Sequence, residues 1–161
     1  MIRSTTLLLL IVASSGLAQD RVHTCPLGYR LTVPADWVRS AGRWGTEFLE
    51  RGRPPTEPPV LSIQTLARAA GPGASSSAEG LPEFFRKIST GNPYTVLDEE
   101  RLEIAGRPVR AVRWRDGVID RTSWSVGLDV SVEWDVILTF RARPADFEQR
   151  LALFRRVAAT L

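Results

Sequence analysis

Trp124-Ser-Val-Gly-Leu-Asp-Val-Ser-Val-Glu-Trp-Asp-Val-Ile-Leu-Thr-Phe-Arg-Ala142 carries an apolar residue at every even position, while its odd positions are mostly polar. Period two marks antiparallel strands with one face against a core. One unbroken strand of that length would reach roughly 60 Å at ~3.3 Å per residue, against a radius of gyration near ~15 Å for a domain of this size. The stretch therefore predicts two strands, with the bend at Gly127-Leu128-Asp129 and the second strand running from Val130 to about Arg141.

Downstream, Pro144-Ala-Asp146 opens a final helix in which Phe147, Leu151, Phe154, Val157 or Ala158, and Leu161 line one face, a stripe suited to covering the sheet. Upstream, Tyr94 to Ile104 and Val109 to Trp114 flank Ala105-Gly-Arg-Pro108, a hairpin signal, and Asp116-Gly117 predicts a second tight turn. Leu81, Phe84, Phe85 and Ile88 fall on one helical face behind Pro82, and Gly91 with Pro93 ends that helix. Both phenylalanines read as core. Residues 67–80, centred on Gly71-Pro-Gly-Ala-Ser-Ser-Ser77, predict a flexible surface loop.

Nearer the N-terminus, Tyr29, Leu31 and Val33 alternate with polar neighbours as a strand stopped by Pro34, and the turn that follows brings Trp37 back onto the core. Further strands are expected between Trp44 and Leu49 and from Val60 to Leu66, separated by the proline-rich run Arg51 to Pro59. Residues 19–28 show no period and read as an irregular leader.

The chain has 161 residues, 43% of them hydrophobic and 24% charged, which suits one soluble globular domain and excludes collagen-like, coiled-coil and wholly disordered chains. Its formal charge is +3, and of its 21 basic residues all but Lys87 are arginine, a skew expected from GC-rich codons. Basic and acidic residues are interspersed. The clustered stripe that captures nucleic acid is missing, so no nucleic-acid partner is expected.

Arg3 followed by the apolar run Leu7 to Ala13 and the small residues Ser14-Ser-Gly-Leu-Ala18 has the layout of a secretory signal peptide over residues 1–18. The run is far shorter than the ~20 residues that span a bilayer, so no membrane span is expected and the mature domain, 19–161, should be periplasmic or extracellular. Cys25 is the sole cysteine. No intramolecular disulfide can form, and Arg21-Val-His-Thr24 before it does not resemble a lipid-attachment site.

Chemistry is sparse. His23 is the only histidine, and with Cys25 it lies in the unpatterned leader, a poor setting for nucleophilic catalysis. Both are expected to be dispensable. One His and one Cys are too few for a zinc site. Asp98-Glu-Glu100 and Glu103 alternate between faces of a strand and read as a solvated edge. Neither a phosphate-binding glycine loop nor a dinucleotide fingerprint occurs, so no cofactor is expected, and an enzyme is the least favoured class. Arg43 and Trp44, near Arg51 and Arg53, form an aromatic and basic cluster outside the periodic stripes, the candidate partner surface.

Taken in order, Tyr29-Arg-Leu-Thr-Val-Pro-Ala-Asp-Trp37, Leu81-Pro-Glu-Phe-Phe-Arg-Lys-Ile88, Leu102-Glu-Ile-Ala-Gly-Arg-Pro-Val-Arg-Ala111, Trp134-Asp-Val-Ile-Leu-Thr-Phe140 and the closing helix resemble the PsbP/Mog1-like group, in particular its exported DcrB-type and LpqN-type members. The resemblance spans nearly the whole mature chain. It implies an α+β fold, an α-β-α sandwich around a central antiparallel sheet, and a non-catalytic accessory role binding a protein partner in the cell envelope. It carries no shared catalytic set. The alternative is a carrier of a small hydrophobic or amphipathic ligand in a cavity between sheet and helix.

Overall fold

The computed structural model describes residues 20–42, 45–54, 56–68, 79–131 and 133–161. The signal peptide expected over residues 1–18 and the middle of the loop expected over 67–80 lie outside them, as do Arg43 and Trp44. Seven strands form one antiparallel sheet: β3 (Trp37–Gly42), β4 (Gly45–Glu50), β5 (Leu61–Ala67), β6 (Tyr94–Ile104), β7 (Arg107–Asp116), β8 (Arg121–Asp129) and β9 (Trp134–Ala142), in the order β3-β4-β5-β9-β8-β7-β6. β1 (Arg21–Thr24) and β2 (Arg30–Val33) make a separate hairpin. Helix α1 (Leu81–Ser89) lies against one sheet face and α2 (Phe147–Ala158) against the other, which gives the expected α+β sandwich.

The register assigns residues to faces. Trp124 stands opposite Phe140 and Val126 opposite Leu138, and with Leu61, Ile63, Phe48 and Trp37 they form the main core with Phe147, Leu151, Phe154, Val157 and Ala158 of α2. Phe140 stacks on Phe154 at 5.1 Å between ring centroids. The β1–β2 hairpin closes the same core with Tyr29, Leu31 and Val33. On the opposite face Leu81 and Phe85 of α1 meet Val112, Trp114 and Ile137. A bulge between Val96 and Asp98 in β6 switches parity, so that Val96 and Glu99 both stand on the α1 face.

Several local expectations change. The leader is ordered: Arg21 to Thr24 pairs with β2, and His23, 8% exposed, sits opposite Leu31 with its ring edge-on to Phe48 at 5.5 Å. Four residues in extended conformation are too few to show a period. The bend in the long apolar stretch falls after Asp129, not at Gly127, because Gly127, Leu128 and Asp129 still pair with Ile137, Val136 and Asp135. The Asp116-Gly117 turn is a four-residue loop, in which Asp116 Oδ1 accepts the N–H groups of Val118 (2.9 Å) and Ile119 (3.3 Å). Phe84 is 55% exposed, since α1 meets only one end of the sheet and its stripe is narrower than the pattern. The β6–β7 turn holds just Ala105 and Gly106, at φ 51° and 76°, the paired positive values of a two-residue hairpin.

Candidate functional site

β7 and β8 pair from Asp116↔Arg121 to Ala111↔Val126 and then part. The same register continued would set Arg110 opposite Gly127 and Pro108 opposite Asp129, and neither pair forms. A proline stands within the break. Pro108 has no N–H to give, and it stands in a strand flanked on both sides, where a ladder bond is required. Each strand keeps its other neighbour, Arg107 to Arg110 pairing with β6 and Gly127 to Asp129 with β9.

A cleft of about 620 Å3 fills the divergence, lined by Arg107, Pro108, Val109 and Arg110 on one side and Gly127, Leu128 and Asp129 on the other, with Arg101 and Glu79 at its rim. Backbone groups of the β8 edge point into it. The Val130 N–H bonds the Trp134 carbonyl, so even residues of β8 turn their backbone toward β9 and odd ones, Gly127 among them, toward β7. The Asp129 carbonyl accepts the Arg107 guanidinium at 2.5 Å, a side chain standing where a ladder partner would be.

Three guanidiniums surround this opening. Arg101 and Arg110 are direct cross-strand neighbours on the α1 face, a like-charge pair that disfavours the hairpin unless an anion separates them. Arg110 leans toward Glu83 (3.4 Å) and Glu99 (3.8 Å) and donates to the Glu79 carbonyl. Arg101 has no hydrogen bond or ion pair among the described residues. Asp129 and Asp135 face each other across β8 and β9, and Arg68 bridges them at 2.8 and 2.7 Å. The hydrogen bond to Asp135, first, and that to Asp129 raise the Arg68 pKa, so that its cation sits between the two carboxylates.

The sequence cluster is divided. Arg43 and Trp44 lie outside the described residues. Arg51 is exposed, its N–H donating to the Asp36 carbonyl at 2.7 Å. Arg53 pairs with Glu50 (3.2 Å) and Glu57 (3.3 Å), in a network that Arg143, Arg121 and Arg150 complete, so its charge is spent inside the protein. Two of the acidic residues of β6 are likewise engaged: Glu99 takes Arg86 at 2.6 Å, while Glu100 takes the Trp124 indole at 2.7 Å and Arg155 at 2.6 Å. Among the described residues no group of three or more His, Cys, Asp or Glu is placed to hold a metal ion.

His23 and Tyr29 form a second small cluster. Burial first, and Arg39 second, lower the His23 pKa, and His23 Nε2 has no hydrogen-bond partner among the described residues. Burial, with a hydrogen bond to Cys25, raises the Tyr29 pKa, and Thr65 acts in the opposite sense. These shifts keep both groups neutral and suit them to packing.

Sequence reading missed the cleft. The signal was present in Arg107-Pro108, a proline inside a run that must be a paired strand, although only the strand order shows that β7 is not an edge.

No family model matches the chain, and no curated protein does. Among solved structures, the solution structure of cyanobacterial PsbP (CyanoP) from Synechocystis sp. PCC 6803 superposes with a TM-score of 0.67 at 13% identity, covering 91% of this chain and 94% of that one. The fold is thus PsbP-like. A crystal structure of PA94 from Pseudomonas aeruginosa, a protein of unknown function described as a putative regulator, aligns over 89% of this chain and 96% of its own at 14% identity, with a TM-score of 0.45 that carries no argument. No helix among the described residues is long and apolar enough to cross a membrane.

Proposed function

We propose that the protein is an exported, non-catalytic accessory protein of the DcrB or LpqN type that binds a protein partner in the cell envelope. The observation that carries the reading is the parting of β7 and β8: a cleft between strand edges, ringed by arginines, is the kind of feature a protein segment can fill. The charged and apolar layout of residues 1–18 supports export. The interior under α2 is occupied by Phe140, Phe147 and Phe154, which argues against a ligand cavity between that helix and the sheet.

The test is fractionation with N-terminal sequencing, then capture on the mature protein from the native envelope with mass spectrometry of proteins and small molecules. A mature chain starting near Gln19 and one protein recovered in stoichiometric amount is the expected result. Recovery in the cytoplasm with residues 1–18 retained, or a small molecule without any protein, overturns the reading.

A further inference from the structure

We infer that the β7–β8 cleft receives an extended segment of the partner in which acidic and apolar residues alternate, laid along the β8 edge at Gly127. This rests on the partner-binding reading and names the chemistry of what binds. The two faces of the opening differ. On the α1 side stand Arg101 and Arg110, cross-strand neighbours, and on the α2 side stand Val109 and Leu128, both buried and part of the main core. A strand entering here points successive side chains to opposite faces. One set of its side chains meets guanidiniums and the other lies over Val109 and Leu128, where these two side chains line the cleft.

Charge complementarity selects acidic residues for the first set. Arg101 has no ionic partner among the described residues, and a carboxylate between Arg101 and Arg110 would relieve their mutual repulsion with charge-assisted hydrogen bonds. Glu79 at the rim and Asp129 oppose this, but Asp129 is balanced by Arg68 at 2.8 Å, and Arg107 adds a positive charge from the α2 side. Backbone pairing supplies the second determinant. Gly127 turns its N–H and C=O toward the cleft, where an extended backbone can pair with them.

The probe is a synthetic peptide of roughly eight residues alternating glutamate and valine, titrated into the mature protein while backbone amide resonances are followed by NMR. Saturable shifts centred on Gly127 and Arg110 are expected, with slowed amide exchange at Gly127. A lysine–valine peptide should give none, and neither should a glutamate–valine peptide N-methylated at alternate residues, which keeps the charge and loses the ladder. Arg101→Glu, at an exposed position that leaves folding intact, should weaken binding about tenfold or more, whereas Arg156→Glu on exposed α2 surface should not. Unsaturable shifts, or equal binding by the N-methylated peptide or by the Arg101→Glu protein, overturns the proposal. If envelope capture still recovers a partner with Arg101→Glu, the partner-binding reading survives and only this docking mode falls.

Discussion

The two faces of the central sheet are built from the same strands by different chemistry. Under α2 the sheet offers Trp124, Val126, Leu128, Val136, Leu138 and Phe140, and burial of apolar surface accounts for the packing. On the α1 side the alternate residues of β8, β9 and β5 include buried Ser123, Ser125, Thr139 and Ser62. Three of the four are held by specific bonds: Trp114 Nε1 donates to Ser125 Oγ at 2.9 Å, Ser125 meets Thr139 at 2.9 Å, and Arg141 donates to Ser62 at 2.7 Å, while Ser123 Oγ has no hydrogen-bond partner among the described residues. Burial lowers the Arg141 pKa, against the pull of Glu47 and Asp116. One face tolerates any close-fitting apolar set. The other requires partners to be matched, and there the sheet opens at Pro108.

The largest expected effect breaks the comparison if it fails. Phe154 is fully buried between Phe140 and Phe147, so Phe154→Ala should cost toward the upper end of ~3–5 kcal/mol, a large share of a small domain's ~5–15 kcal/mol. Phe85→Ala, in the five-residue cluster under α1, should fall at the lower end. Chemical denaturation of both variants decides it, and a greater loss at Phe85 would reverse the ranking of the faces.

That ranking was half legible in the sequence. The even residues of 124–142 and the stripe Phe147, Leu151, Phe154 mark the α2 face because apolar periodicity is local information. The α1 face was not legible: a buried serine looks like an exposed one until its partners are placed, and Ser125 and Trp114 are 11 residues apart in the chain. β1 escaped because four residues cannot declare a period, yet pairing with β2 buries His23. For the same reason the arginine cleft stayed hidden, since Arg101, Arg107 and Gly127 meet only through strand order.

Ser125→Ala sharpens the comparison on the polar side. It strands the Trp114 indole N–H and removes a partner from Thr139, so a loss of ~1–3 kcal/mol is expected from unsatisfied buried groups, out of proportion to one oxygen atom. A change near zero in denaturation midpoint would show that the face is held by apolar contact alone.

His23 tests the apolar side through pH. Its pKa is lowered in the folded state, so the unfolded chain binds the proton more readily near its ordinary value of 6.5. Stability from the neutral ring is then complete above that pH and is lost as pH falls toward the folded pKa. The difference in denaturation midpoint between the parent and His23→Phe should widen on going from about pH 8 to about pH 5, with the parent weaker at the acid end. A constant difference would place the imidazole in water rather than against Phe48.

The smallest effect concerns a surface ion pair that borders the main core. Arg155 Nη2 lies 2.6 Å from Glu100 Oε2, with the arginine side chain 47% exposed. Removing it leaves Glu100 with the Trp124 indole at 2.7 Å, so no buried group loses its partner. An exposed pair of this kind contributes ~0–1 kcal/mol, and Arg155→Ala should change stability by less than about 0.5 kcal/mol. Glu100→Ala is a different cut through the same contact, because it takes the acceptor from the buried Trp124 N–H and should cost ~1–3 kcal/mol. Urea titration of the two single variants and the double variant separates the ion pair from the indole bond. If Arg155→Ala matched Glu100→Ala, the charge would be carrying the contact, and the α2 face would depend on matched polar partners as the α1 face does.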